Sequence, residues 1–400
     1  AENGTQQVTI SLTDNDLPSL SSINVDKTDI DENGGVAIVT ATIDAVQSKE
    51  ATIPLTVTGT STIDTDYSTA FSSQAAKLVA GGNGYGSALN QLSSSATGGQ
   101  IYVDSNQNIY VADTNNNRVV KWTPGATEGL IVASSINAYD IHVNSSGDMY
   151  ILDNTGHFVK KWTPGSASGT VVAGGNGQGS AFNQLDSPRS ITLDDNENIY
   201  IADQNNHRIM KWIPDATVGT VAAGGNGTTG SNGSGATSNQ TNNPNSVAID
   251  SSGNLYISDI NNHKITKWSP GASEGVVVVN ATGGYGSGAT LSSLHEQTAI
   301  DIDSDGNIYI ADYHSHRIMK WKQGASEGKI VAGGYQQGIG SDTNKIYKPK
   351  DIKLDSSGNI YIVSIVNSSN DVMKIQVAPQ ITIAAGATTG TITFTGIQDS

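Results

Sequence analysis

Between residues 101 and 375 the apolar positions come in short bursts, without the three-to-four spacing of an amphipathic helix. An alternating run such as Ile300-Asp301-Ile302 meets the polar turn Ser304-Asp305-Gly306-Asn307, and the unbroken apolar run Ile308–Ala311 follows. A second polar turn leads to Arg317–Trp321, and Gln323-Gly324 turns the chain once more into Lys329–Ala332. Alternation predicts half-buried strands, short continuous runs predict buried ones, and Asp-Gly pairs predict the hairpins between them. The segment reads as four antiparallel strands.

That segment occurs six times, with its central tyrosine at 110, 150, 200, 256, 309 and 361. Intervals of 40 to 56 residues are the period of a propeller blade. All five tryptophans (Trp122, Trp162, Trp212, Trp268 and Trp321) stand twelve residues after a blade tyrosine, and Ile375 takes that place in the sixth copy after a two-residue insertion. The sixth copy lacks a fourth strand of the Val-Val-Ala-Gly-Gly kind, whereas Lys77-Leu78-Val79-Ala80-Gly81-Gly82 supplies one ahead of the first. The ring is therefore expected to close by pairing residues 76–80 with the last blade, which removes the exposed edges of an open sheet. The fold class is all-β, a six-bladed β-propeller with a second, smaller β-domain around it.

The turns Asn206-His207-Arg208, Asn262-His263-Lys264 and Asn116-Asn117-Arg118, with the linker Gly-Gly-Asn-Gly-x-Gly-Ser-Ala at 81–88 and 174–181, carry a family resemblance. The region resembles the NHL-repeat propellers over about 300 residues. Residues copied into every blade are expected to serve the blade. The aspartates Asp113, Asp153, Asp203, Asp259 and Asp312 precede the second turn and should bond its backbone or the nearby Arg. The tryptophans should pack between blades. Some NHL-like propellers are lyases or lactonases with an axial metal, which requires unique residues that break the repeat. The off-pattern histidines His142, His157 and His295 show no ligand spacing, so the chain is read as not an enzyme.

Charge changes the picture at the ends. Residues 1–74 and 377–400 hold 12 acidic and 2 basic residues, which is −10 of the net −16. Such a balance disfavours nucleic acid, whose phosphates need a basic face. No run of 18 apolar residues is present, so no helical membrane span is expected. The absence of cysteine excludes disulfides and thiolate chemistry.

Ile23-Asn24-Val25, the turn Asp31-Glu32-Asn33-Gly34-Gly35, the strands Val36–Ile43 and Ala51–Val57, and Asp66-Tyr67 follow one another at the start. Ile381–Ile383 and Thr389–Thr395 follow the repeats. This order resembles the Calx-β domain, an immunoglobulin-like sandwich, interrupted here by the propeller. The expected division is 1–16, 17–74 and 378–400 for the sandwich and 75–377 for the propeller. The resemblance implies Ca²⁺ ligands at Glu32, Asp64, Asp66 and Asp399, with Glu2 joining from the first strand, hard oxygen donors of the kind calcium takes.

Residues 1–16, with the alternating Val8, Ile10 and Leu12, look like the closing strand of such a sandwich. They can end the preceding period of a tandem-repeat protein, be donated to a neighbouring copy, or fold back on their own domain. The favoured expectation is an extracellular or cell-surface structural and adhesive unit, its Val8, Ile10 and Leu12 strand joining head to tail into a filament of itself. The alternatives are a monomeric propeller that binds a glycan or protein, and a lyase- or lactonase-like enzyme.

Overall fold

The computed structural model describes residues 7–10, 20–25, 36–43, 51–58, 67–69, 76–93, 99–225, 237–280, 291–333, 346–366, 369–375, 380–383 and 389–396; for the strands before residue 70 and after residue 379 it describes the backbone. The chain divides into two compact units.

The larger unit is a six-bladed propeller of four-stranded antiparallel sheets. The blades start with the strands Ile101–Val103, Ala138–Val143, Pro188–Leu193, Pro244–Ile249, Gln297–Ile302 and Asp351–Leu354. These six first strands touch one another in order and close the ring around an axis. The expected closure is present: Lys77–Ala80 forms the fourth strand of blade six, with Ala80 opposite Val372 and Lys77 opposite Lys374. Ile375 lies opposite Ile360, as Trp122 lies opposite Ile109 in blade one.

Each described core cluster draws on two adjacent blades, so burial is shared between blades. Trp212 joins the side chains of blades two and three, and Trp122 those of blades six and one. A glycine lies against every blade tryptophan. A Cβ at Gly169 would stand 2.2 Å from the indole of Trp162, which is why the turn before the fourth strand carries no side chain there.

The blade aspartates tie each second turn to the linker before it. Asp203 accepts bonds from Asp186 N at 2.7 Å and Arg208 Nε at 2.8 Å, and Asp113 and Asp312 repeat both contacts. Asp259 meets Lys264 at 3.7 Å. Asp153 bonds Gly156 N within its own turn, because Phe158 stands where blades one, three, four and five have a cation.

The second unit contains two antiparallel sheets. One is Gln7–Ile10, Ala51–Thr58 and Gln380–Ile383; the other is Leu20–Val25, Val36–Ile43, Thr389–Gly396 and Tyr67–Thr69. Val36–Thr42 pairs along its length with Thr389–Thr395, so strands from both sides of the propeller sequence share one sheet.

The expected donation of residues 1–16 to another copy finds no support in the pairing of this chain. Gln7–Ile10 lies antiparallel to Ala51–Thr58 of its own chain, Val8 opposite Val57 and Ile10 opposite Leu55. Leu12 and the expected calcium ligands Glu2, Glu32, Asp64, Asp66 and Asp399 lie outside the described residues.

Candidate functional site on the propeller axis

The inner strands carry two columns of side chains that differ from blade to blade. Register fixes the comparison, because Ile101, Ile141, Ile191, Val247, Ile300 and Ile352 each stand opposite the same residue of the second strand. One position earlier stand Gln100, Asp140, Ser190, Ser246, Ala299 and Asp351; one position later stand Tyr102, His142, Thr192, Ala248, Asp301 and Lys353. Alternation along a strand puts both columns on the same side of it, one above the other.

The earlier column is closed and its polar atoms are engaged. All six residues are buried, from 1 % exposure at Asp140 to 6 % at Gln100. An inner strand has no sheet neighbour towards the axis, so its edge N–H groups need other acceptors. Asp140 Oδ2 accepts from Ile191 N at 2.7 Å, Ser190 Oγ from Val247 N at 3.4 Å, Ser246 Oγ from Ile300 N at 3.2 Å, and Asp351 Oδ2 from Ile101 N at 2.7 Å. Ala299 has no acceptor, and Asp301 from the later column takes its place, accepting from Leu354 N at 2.7 Å. From blade two round to blade one, these side chains fasten each blade to the next.

The later column is different. Tyr102, His142, Asp301 and Lys353 keep some accessible surface although protein encloses them. That combination is expected of side chains that face the propeller axis, on the side that bears the first hairpins. The rings of Tyr102 and His142 lie 4.6 Å apart, tilted by 48°. Among the described residues no protein partner hydrogen-bonds the Tyr102 hydroxyl, the His142 ring nitrogens or the Lys353 ammonium. These groups offer donors and acceptors towards the axis.

Electrostatics concentrate on Lys353. Burial alone would discharge it, but Asp351, Asp301 and Asp140 around it hold its ammonium above the ordinary lysine value. Burial pushes Asp140 up to about 6 and Asp351 up to about 7, against the pull of Lys353 and of the backbone N–H groups they accept from. Burial raises Asp301 as well. Burial, assisted by Lys353, lowers His142 to about 3, so its imidazole is neutral at physiological pH. A charged lysine, a neutral histidine, a tyrosine and carboxylates that titrate near neutrality therefore meet in one enclosure. Perturbed groups of this kind cluster where chemistry or recognition occurs.

Sequence reading placed no function on this cluster, and it set His142 aside for want of a ligand spacing. The signal was the column itself. In a repeat that keeps its Tyr, Asp and Trp, the position after the central Ile runs Tyr, His, Thr, Ala, Asp, Lys. Among the described residues no group of three or more His, Asp or Glu side chains is arranged to hold a metal ion.

The NHL repeat model matches residues 100–122, 185–212 and 241–268, in blades one, three and four. The chain carries NHL repeats. Similar solved structures include an auxiliary nutrient binding protein from Bacteroides ovatus, 12% identical, over 87% of this chain and 94% of that one, with a TM-score of 0.53. A protein of unknown function from Bacteroides thetaiotaomicron is 14% identical over 92% of this chain and 100% of its own, with a TM-score of 0.52. A gluconolactonase from Xanthomonas campestris is 11% identical over 71% of this chain and 86% of its own, with a TM-score of 0.50. At these identities the likeness is one of fold. The reading of the chain as a non-enzyme is nonetheless corrected, because structures that share its fold include a gluconolactonase, and its blade repeat is no argument against catalysis.

Proposed function

We propose that the propeller is a binding module whose axial well takes a small polyhydroxylated ligand, such as a terminal glycan unit. The observation that carries this reading is the set of half-buried polar groups on Tyr102, His142 and Lys353 that no protein hydrogen bond engages, gathered at the propeller axis. A ligand rich in hydroxyls both donates and accepts, and a mixed set of fixed donors and acceptors selects for it. The shared fold with a nutrient binding protein accords with this assignment.

A second reading is favoured by Asp301, the half-buried carboxylate of the later column, whose value burial raises while His142 is too weak a base to serve. A carboxyl group so placed suits general acid–base chemistry on a ligand held at the axis. The two readings share one site and separate by product formation.

We further infer that the flanking unit is a Calx-β-like scaffold that presents the propeller at a cell surface, with calcium at its acidic turns. The acidic balance of the flanks and the shared sheet of Val36–Ile43 and Thr389–Gly396 support this reading.

The test is a panel of mono- and disaccharides screened by saturation-transfer NMR against the wild type, Tyr102→Phe and Lys353→Met. Binding by the wild type that weakens at least tenfold in both variants, with their folds intact by circular dichroism, supports the axial site. Binding that survives both substitutions overturns it. Turnover of a bound sugar or lactone decides for the second reading.

A further inference from the structure

A different cavity lies at the seam where the ring closes, and we propose that it binds an amphipathic anion, a medium-chain carboxylate or its equivalent. It has a volume of about 540 Å³ and is walled by the apolar side chains Leu78, Val79, Trp122 and Pro124, with Lys77 and Lys374 at its edge. Trp122 comes from blade one, Lys374 from blade six, and Leu78 and Lys77 from the closing strand.

The two lysines give the occupant its charge. Lys77 stands directly opposite Lys374 in the ladder, and like charges so placed are destabilising. Lys374 lies over the Tyr361 ring and reaches Gln107 Oε1 at 3.0 Å, while its carboxylate partner Asp355 is 3.8 Å away. Burial lowers Lys374 against the pull of Asp355 and with the push of Lys77. Asp355 thus pairs with Lys374, and among the described residues no carboxylate pairs with Lys77 beside the apolar cavity. An anionic head there relieves the repulsion, and an apolar tail covers Leu78, which is 43 % exposed.

Two other cavities among the described residues lack this pairing. The one of about 570 Å³ beside Trp268 has no charged side chain in its wall. The one of about 590 Å³ beside Ile131 contains Arg118, whose guanidinium is committed to Asp113 at 2.7 Å. Blade five repeats the lysine pair as Lys320 opposite Lys329 and serves as an internal control. Because the cavity spans the closing strand and two blades, its ligand also staples the ring, and binding to the closed form stabilises it.

The experiment is calorimetric titration of the 400-residue chain with sodium decanoate below its micellar concentration, with decyltrimethylammonium as the cationic counterpart. The expected result is saturable decanoate binding, a raised Tm at saturation, at least tenfold weaker binding in Lys77→Glu, and unchanged binding in Lys329→Glu and in Tyr102→Phe. Lys77 is exposed, so its replacement spares the fold. The proposal is overturned if the wild type does not bind decanoate, if Lys77→Glu binds it equally, or if the cationic chain binds as tightly. Loss of sugar binding in Tyr102→Phe bears on the axial well alone.

Discussion

At the scale of single residues the axis is governed by one lysine. Replacing Lys353 by Met leaves Asp140, Asp301 and Asp351 enclosed without their counter-charge, a change that costs about 3–5 kcal/mol when the carboxylates are ionised. Protonation removes that cost. Asp351, raised to about 7, stabilises the fold below the ordinary carboxylate range and loses that contribution as pH rises through 7. Urea unfolding of Lys353→Met should therefore show a large loss at pH 8 and a small one at pH 4.5. Equal losses at both values would separate Lys353 from the carboxylates.

His207 and His316 answer pH with the opposite sign. His157, His207 and His316 sit in the left-handed region at φ of 57°, 53° and 55°, and each Nδ1 accepts a bond from the next linker, from Ser187, Asn243 and Lys348 N. Only a neutral imidazole accepts there. Burial lowers His207, and burial with Lys348 lowers His316, so their contribution is full above the ordinary histidine value and lost as pH falls below it. His207→Ala removes the latch and puts a Cβ-bearing residue without side-chain compensation in the left-handed region, at a cost of about 1–2 kcal/mol. His207→Gly should recover the backbone part. Both variants should also flatten the loss of stability between pH 7 and pH 5, read as the urea midpoint.

Elements come next, and the closing strand is the one whose placement the ring depends on. Ala80 and Val372 are buried and face each other across the seam. The double variant Ala80→Cys, Val372→Cys introduces the only cysteines in the chain. Under oxidation it should form a disulfide within one chain and raise the stability by about 2–4 kcal/mol. Cross-linked dimers on a non-reducing gel would instead place the strand in another copy.

The blades were legible in the sequence because five of the six copies state the same constraints, a tyrosine, an aspartate before the second turn and a tryptophan twelve residues on, and the sixth keeps the tyrosine. The axial site was hidden for the complementary reason. Its residues occupy one of two columns that the repeat does not keep, so Tyr102, His142, Asp301 and Lys353 look like scatter until register aligns them. The first strand misled differently. Val8 and Ile10 carry the alternation of a closing strand, but alternation specifies a face and not which chain supplies the neighbour.

At the scale of the molecule, Gln7–Ile10 pairs with its own Ala51–Thr58. The 400-residue chain is accordingly expected to run as a 41.5 kDa monomer in light scattering at micromolar and at hundred-micromolar concentration. Mass growing with concentration would restore the head-to-tail assembly.

The account rests on the axial well as a place where ligand meets protein, and His142 reports on it directly. Imidazole-labelled protein should be titrated with the tightest sugar of the panel and followed by histidine NMR at constant pH. The account predicts that the His142 resonances shift to saturation while those of His157, His207 and His316 stay in place. Saturable binding that leaves His142 unmoved would contradict it.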